Sequence, residues 1–280
     1  MPSLGFWKKR IHKFLDYPPA TFSFLQKKFY LDFVADRYIG QYGSYKFLDY
    51  KETIDDVIEN NKSLVRFGDE LIDMMRGIGL YYDDWHQKYD KKLASNLEEV
   101  IRSDDPKILI ALHWQFFTKT RRELKQDGIP PTIWTNSKVF LKDYLNEGQT
   151  YGSALCFQPK FNPQLDFKKI LNYFKTKNII IVTANTDRFS HIKLGETTDF
   201  VECPRNDSWN HYDAIFERAL ELVKEKRYEK RKVLFLVSLA SAAKVFVYDL
   251  LEYDYQGWDT GQFFDLAFRQ IEESSTELDS

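Results

Sequence analysis

The residues best suited to chemistry gather in one short stretch, LVRFGDELIDMMRG, from Leu64 to Gly77. An apolar run carries Arg66 in its middle and stops at Gly68. Asp69 and Glu70 follow at once, and Asp73 comes one helical turn after Asp69. Carboxylates at such a strand-to-helix corner suit a hard divalent cation, Mg²⁺ or Mn²⁺. These ions take oxygen ligands, commonly one or two carboxylates with substrate phosphates and water. An ion held there could bridge a diphosphate and stabilise charge on a leaving phosphate. The plainer reading is an ordinary helix start, because acids in a first turn cap it and complement its dipole. Arg66 sharpens the choice. A guanidinium buried in a parallel strand needs a partner, and this one would orient Asp69 or grip a phosphate with its planar fork. On an edge strand it would simply be solvated.

A second stretch, SLASAAKVFVYDLLEYDYQGWDTGQ, begins where an apolar run ends at Ser238. Small residues Ala240 to Ala243 lead into a helix, followed by Lys244. Small residues admit a ligand close to the backbone, and helix amides attract phosphate; close helix–sheet packing explains the same residues. The stretch closes on Asp259 and Gly261, where a carboxylate could accept ribose or sugar hydroxyls. The aromatic run GLYYDDWHQKYD could stack a base or sugar, although surface-loop anchors are commoner.

These groups need elements to hold them. Short apolar runs predict strands at Ser63–Phe67, Ile108–Leu112, Ser153–Phe157, Ile179–Val182, Phe200–Glu202, Val233–Val237 and Tyr255–Trp258. Helical periodicity between them predicts Tyr50–Asn61, Glu70–Arg76, Lys91–Arg102, Phe116–Gln126, Asp166–Lys175, Asn210–Glu225, Ala242–Glu252 and Gln262–Glu272. Near-continuous apolar strands alternating with helices indicate an α/β fold, a mostly parallel sheet covered on both faces. Ligands of such sheets sit outside the carboxyl ends of the strands. Asp69, Glu70, Asp187, Asn206, Asp207, Ser238 and Asp259 all fall just after predicted strands. We expect a basic, aromatic N-terminal segment over 1–46, one α/β domain over 47–274, and an acidic flexible tail over 275–280.

The bulk numbers exclude several classes. The 280 residues are 43% hydrophobic and carry a formal charge of -2, so a core is affordable and no global basic field for nucleic acid exists. Residues 1–46 hold eight Lys/Arg against three Asp/Glu, about +5. Within them LGFWKKRIHKFL, residues 4–15, has the pattern of a short basic amphipathic helix. Such a helix suits an anionic membrane surface, or packs on its own domain. Two cysteines, Cys156 and Cys203, are no disulfide framework. With no signal peptide and no apolar run near the length of a membrane span, the expectation is a cytoplasmic protein, possible contact with a membrane resting on 4–15. Dinucleotide, P-loop, zinc and nucleophile-elbow motifs are all absent.

The order of the pieces resembles the bacterial GT-D glycosyltransferase family. The resemblance runs from about Tyr50 to Ile271. It is carried by SLVRFGDE, YDKKLASNLEEVI, IIIVTAN, DFVECPRNDSWNHYDAI and LFLVSLASAAKVFVYDLLEYDYQGWDTG. It implies a Rossmann-like α/β domain, a nucleotide-sugar donor of the UDP-linked kind, Mn²⁺ or Mg²⁺, and a D-x-E motif near the donor phosphates. Carried residue by residue, it implies Asp69 and Glu70 as catalytic metal ligands, assisted by Asp73. Donor contacts fall to Arg66, Gly68, Ser238, Lys244, Asp259 and Gly261, and acceptor or nucleoside contacts to Asn206 and Asp207. The acceptor would be a glycan on protein or on a lipid carrier. The departures are specific. The family's R-F-G-D-G-E has Leu71 at its Glu position, with Glu70 one place early. S-L-G-P-T-A-K reads SLASAAK, and D-I-G-H reads DTGQ, with Gln262 at the His position. Two other readings follow from these departures and from TANTD at a strand end: a noncatalytic nucleotide-sugar or glycan-binding partner of another transferase, and a different nucleotide-dependent α/β enzyme.

Overall fold

A computed structural model describes residues 25–82, 85–129, 135–184, 186–189, 193–261 and 263. The strands are β1 (Lys46–Phe47), β2 (Ser63–Arg66), β3 (Leu80–Tyr81), β4 (His86–Gln87), β5 (Ile108–Leu112), β6 (Thr150–Ser153), β7 (Asn178–Thr183), β8 (Thr197–Glu202), β9 (Val233–Val237) and β10 (Gln256–Asp259). The principal helices are α1 (Tyr50–Glu59), α2 (Asp69–Met75), α3 (Lys91–Ile101), α4 (Trp114–Thr118), α5 (Arg121–Gln126), α6 (Thr135–Phe140), α7 (Phe167–Phe174), α8 (Tyr212–Lys226) and α9 (Ala242–Asp249). Residues 4–15 and most of the helix expected at Gln262–Glu272 lie outside the described residues.

The chain divides into two compact units. One is built on Lys46–Phe67, Ser103–Leu112 and the chain from Thr150 onward. It holds an eight-stranded sheet in the order β1-β6-β5-β2-β10-β9-β7-β8, every neighbouring pair parallel. This is the α/β class that the apolar runs indicated. β5, β7 and β9 are buried at every position, as strands covered on both faces must be. Trp258 anchors the core beneath β10: it is fully buried, stacks on Tyr173 with ring centroids 5.4 Å apart, and its indole N–H donates to the Lys62 carbonyl at 3.1 Å.

The other unit comprises the described residues up to Tyr45, together with Gly68–Arg102 and His113–Gln149. It contains α2 to α6, the antiparallel β3–β4 pair, and a helical stretch at 25–42. There Leu31 and Ala35 pack against Val139, joined by Val34, Tyr38 and Phe140. Tyr42 is sealed beneath, its hydroxyl donating to the Lys138 carbonyl at 2.9 Å.

Three local readings need correction. The strand expected at Ser153–Phe157 lies at Thr150–Ser153. Beyond it the chain turns, with the Cys156 N–H donating to Ser153 O and the Gln158 N–H to Leu155 O, so ALCF is apolar because it fills the core under a turn. The helix expected at Phe116–Gln126 is two helices, broken where Thr120 caps α5 in a box with Glu123. The strand β1 and the β3–β4 pair were not foreseen; two residues each are too few to show a period. Among the described residues no helix is long and apolar enough to cross a membrane.

Candidate functional site

From β2 the chain steps outward through β5 to β6, and then builds β7, β8 and β9 on the other side. The reversal falls at β2, with β10 inserted between β2 and β9. In an open parallel sheet the crevice beyond the carboxyl ends at such a switch is the usual ligand position. Arg66 ends β2 and Asp259 ends β10.

Arg66 is on a central strand and its side chain is only 13% exposed, so it is not a solvated edge residue. Its Nε donates to the Asp259 carbonyl at 2.6 Å and Nη1 to the Ala154 carbonyl at 3.1 Å. Nη2 lies 3.6 Å from Asp259 Oδ1, and the guanidinium sits 5.6 Å from the centre of the Phe157 ring. The turn that displaced the expected third strand therefore supplies both a carbonyl and a ring to Arg66.

Asp259 is 2% exposed and both its oxygens are engaged. Oδ1 faces Arg66; Oδ2 accepts from the Arg66 main-chain N–H at 3.3 Å and pairs with Lys244 Nζ at 3.1 Å. Lys244 rises from the first turn of α9, 8% exposed, and also donates to the Ala240 carbonyl at 3.0 Å. Two cations thus enclose one carboxylate where water is scarce. Such a cluster holds only when each charge is paired and hydrogen-bonded, as these are. These contacts let Asp259 tie together the ends of β2, β10 and α9.

Two backbone positions complete the clamp. Gly261 has φ +52, and a Cβ there would stand 2.5 Å from Arg66 Nη2, so any other residue would be strained in the left-handed turn and would displace the guanidinium. Ala240 has φ +48 without being glycine, and its strain is tied down by Lys244. Thr260, which the sequence did not single out, donates both N–H and Oγ1 to the Val237 carbonyl, at 3.0 and 3.2 Å. Ser238 is half-buried at the end of β9, and its N–H donates to Val182 O. Asn206 and Asp207 follow β8, the edge strand, roughly 14 Å from β10 at three inter-strand spacings. Their loop reaches inward through Ser208, whose hydroxyl donates to the Leu239 carbonyl at 3.3 Å. Cys156, buried beside the clamp, has its thiol pushed up to about 12 by burial, so it is no thiolate nucleophile. Cys203, also a free buried thiol, is likewise raised to about 12 by burial.

The sequence profile of the glycosyltransferase GT-D fold family matches residues 64–268, which runs from β2 through the whole clamp. This chain belongs to the GT-D family. The glycosyltransferase GlyD of Streptococcus pneumoniae serotype 4 is 28% identical over 223 residues, 75% of this chain and 26% of that protein. A probable glycosyl transferase, Gly, of Streptococcus gordonii is 26% identical over 233 residues, 76% of this chain and 31% of that one. The chain therefore spans about a quarter to a third of the length of these curated relatives. A solved structure described as the highly conserved domain of unknown function 1792, with a distinct glycosyltransferase fold, matches at TM-score 0.66 and 24% identity, covering 87% of this chain and 86% of that one. That likeness concerns the fold.

In the GT-D corner, Gly68 is the extended N-cap of α2, with no side-chain cap, and Asp69 and Glu70 are the first two residues of the helix. The side chains of Asp69 and Glu70 lie outside the described residues. Leu71, at the family's Glu position, is fully buried, so helix geometry turns that position into the core. Positions 69 and 73 share a face of the helix one turn apart, while position 70 is rotated by about 100°; Asp73 is half-buried. Chemically the three carboxylates are the hard oxygen set that Mg²⁺ and Mn²⁺ prefer, and in that respect they fit the ion the family implies. Asp259 is not a spare member of that set, since its oxygens are already engaged with cations.

Proposed function

We propose that this GT-D domain transfers a sugar from a nucleotide-sugar donor, UDP-linked, to a glycan acceptor on protein or on a lipid carrier, assisted by Mn²⁺ or Mg²⁺. The observation that carries the reading is the family match across 64–268, together with the buried Arg66–Asp259–Lys244 clamp at the sheet's switch point. The curated relatives named as glycosyltransferases support the same reaction class.

The proposed roles are supported by where the residues stand in the chain. Arg66, Asp259 and Lys244 fix the strand ends and the start of α9. Ser238, the 239–242 turn and Gly261 then lie at the carboxyl ends, where donor groups dock in parallel sheets. The α9 amides, with Lys244 behind them, favour negative charge at that end. Asn206 and Asp207, further along the same edge, contact the nucleoside or the acceptor. Asp69, with Glu70 or Asp73, holds the metal ion, which when bound supplies Lewis-acid stabilisation of the departing diphosphate.

A donor screen by thermal shift tests this reading. With Mn²⁺ present, a UDP-sugar raises the melting temperature more than GDP- or CMP-sugars do, and the shift shrinks when EDTA replaces the metal. Stabilisation by a methyl donor, with none by any nucleotide-sugar, rejects the proposal in favour of a different nucleotide-dependent enzyme.

A further inference from the structure

The helical stretch at 25–42 is apolar on two sides. Leu31 and Ala35 face the protein and are buried. On the other side Leu25, Phe29 and Phe33 recur every fourth residue, with Tyr30 beside them, and they are 40%, 71%, 76% and 61% exposed respectively. A helix that is apolar on both sides is normally buried on both; this one offers three aromatic rings to its surroundings.

The neighbourhood of that face is cationic. Arg37 stands four residues after Phe33 and is exposed. Next to it a shallow groove of about 620 Å³ is lined by Asp36, Arg121, Arg122, Lys125 and Gln126. Two carboxylates here are already hydrogen-bonded. Asp36 accepts from the Arg121 main-chain N–H at 2.8 Å and faces Lys138 Nζ at 3.4 Å. Glu123 is held by the Thr120 N–H and hydroxyl, both at 2.7 Å. Arg37, Arg122 and Lys125 make no ion pair among the described residues.

We propose that this surface docks the protein on an anionic lipid bilayer, with Leu25, Phe29, Tyr30 and Phe33 entering the interfacial layer and Arg37, Arg122 and Lys125 facing the headgroup phosphates. Aromatic rings favour the level of the headgroups, and a cationic rim adds attraction to anionic lipid. Charge complementarity selects the bilayer over a second copy of this chain, whose net charge is only -2. The proposal is independent of the donor chemistry and of residues 4–15.

Sedimentation of the full chain with vesicles tests it. Binding is expected to vesicles rich in phosphatidylglycerol, not to pure phosphatidylcholine, and fades as salt rises. Tyr30→Ser/Phe33→Ser and Arg122→Glu/Lys125→Glu each weaken binding by about tenfold or more, with circular dichroism melts like the parent's showing that both variants fold. Three results overturn it. The first is equal binding to neutral vesicles. The second is parental binding by either variant, which moves the attachment to residues before Leu25. The third is a dimer in light scattering that Tyr30→Ser/Phe33→Ser converts to monomer while vesicle binding is unchanged, which assigns the face to a second copy.

Discussion

Replacing Asp259 by Asn removes one negative charge and almost no volume. The carboxylate lies 3.1 Å from Lys244 Nζ and 3.6 Å from Arg66 Nη2. At an effective dielectric constant near 20, each attraction is about 5 kcal/mol, and the desolvation of the three groups offsets much of it. What the variant loses is set mainly by the two cations left without their counter-charge at 8% and 13% exposure, a situation that typically costs about 3–5 kcal/mol. Urea unfolding monitored by tryptophan fluorescence measures it, with the slope checked so that a midpoint change is read as stability. Lys244→Met alone is also destabilising, because it leaves Asp259 with one cation and the Ala240 carbonyl with only the longer bond from the Ala243 N–H. In Asp259→Asn/Lys244→Met the excess buried cation is gone, so the double variant falls short of the sum of the singles by about 1–3 kcal/mol. A parental midpoint for Asp259→Asn, within about 0.5 kcal/mol, or strict additivity in the cycle, refutes the reasoning that these charges form one buried clamp.

Ala240→Gly is expected to stabilise by roughly 0.5–1 kcal/mol: relief of a left-handed residue is worth about 1–2 kcal/mol, less glycine's unfolded-state entropy. A raised urea midpoint checks it. Leu71→Glu restores the family's Glu in sequence but places a carboxylate at a fully buried position, so we expect a loss of about 3 kcal/mol or more and no gain in turnover, read by thermal melt and donor hydrolysis. His113 is pushed down to about 3 by burial, with Lys119 adding to it, against about 6.5 when unfolded. The folded state keeps the ring neutral while the unfolded chain takes up a proton, so this contribution is complete above about pH 6.5 and is lost as pH falls toward 3. Between pH 7 and 5 it amounts to about 2 kcal/mol, and His113→Gln flattens that part of the stability–pH curve.

Much of the sheet was legible because its strands are buried on both faces and read as unbroken apolar runs; β7 and β9 are of this kind. Arg66 within such a run already called for a counter-charge. Its partner could not be named, since Asp259 lies 193 positions away and becomes a neighbour only because β10 inserts beside β2. Asp259 was read as a polar group after a strand and Lys244 as a charge near a helix start, but their mutual neutralisation is a tertiary fact with no local signature. Gly261 was found by resemblance alone; the structure adds the reason, the space Arg66 occupies. The misplaced third strand arose because apolar ALCF fills the core from a turn, where period carries no information. The break at Thr120 was readable as T-x-x-E and was masked by the apolar residues on either side. At the corner, periodicity placed α2 correctly, and burial of Leu71 shows why the Glu cannot simply be restored.

The central claim is metal-assisted transfer from a nucleotide-sugar. Release of UDP from UDP-sugars by the full chain, with Mn²⁺ and with EDTA, measures it most directly, in the parent and in Asp69→Ala. We expect metal-dependent release that falls by about a hundredfold or more in the variant, equivalent to about 2.7 kcal/mol of transition-state stabilisation. Release that is indifferent to EDTA and unchanged in Asp69→Ala contradicts the account.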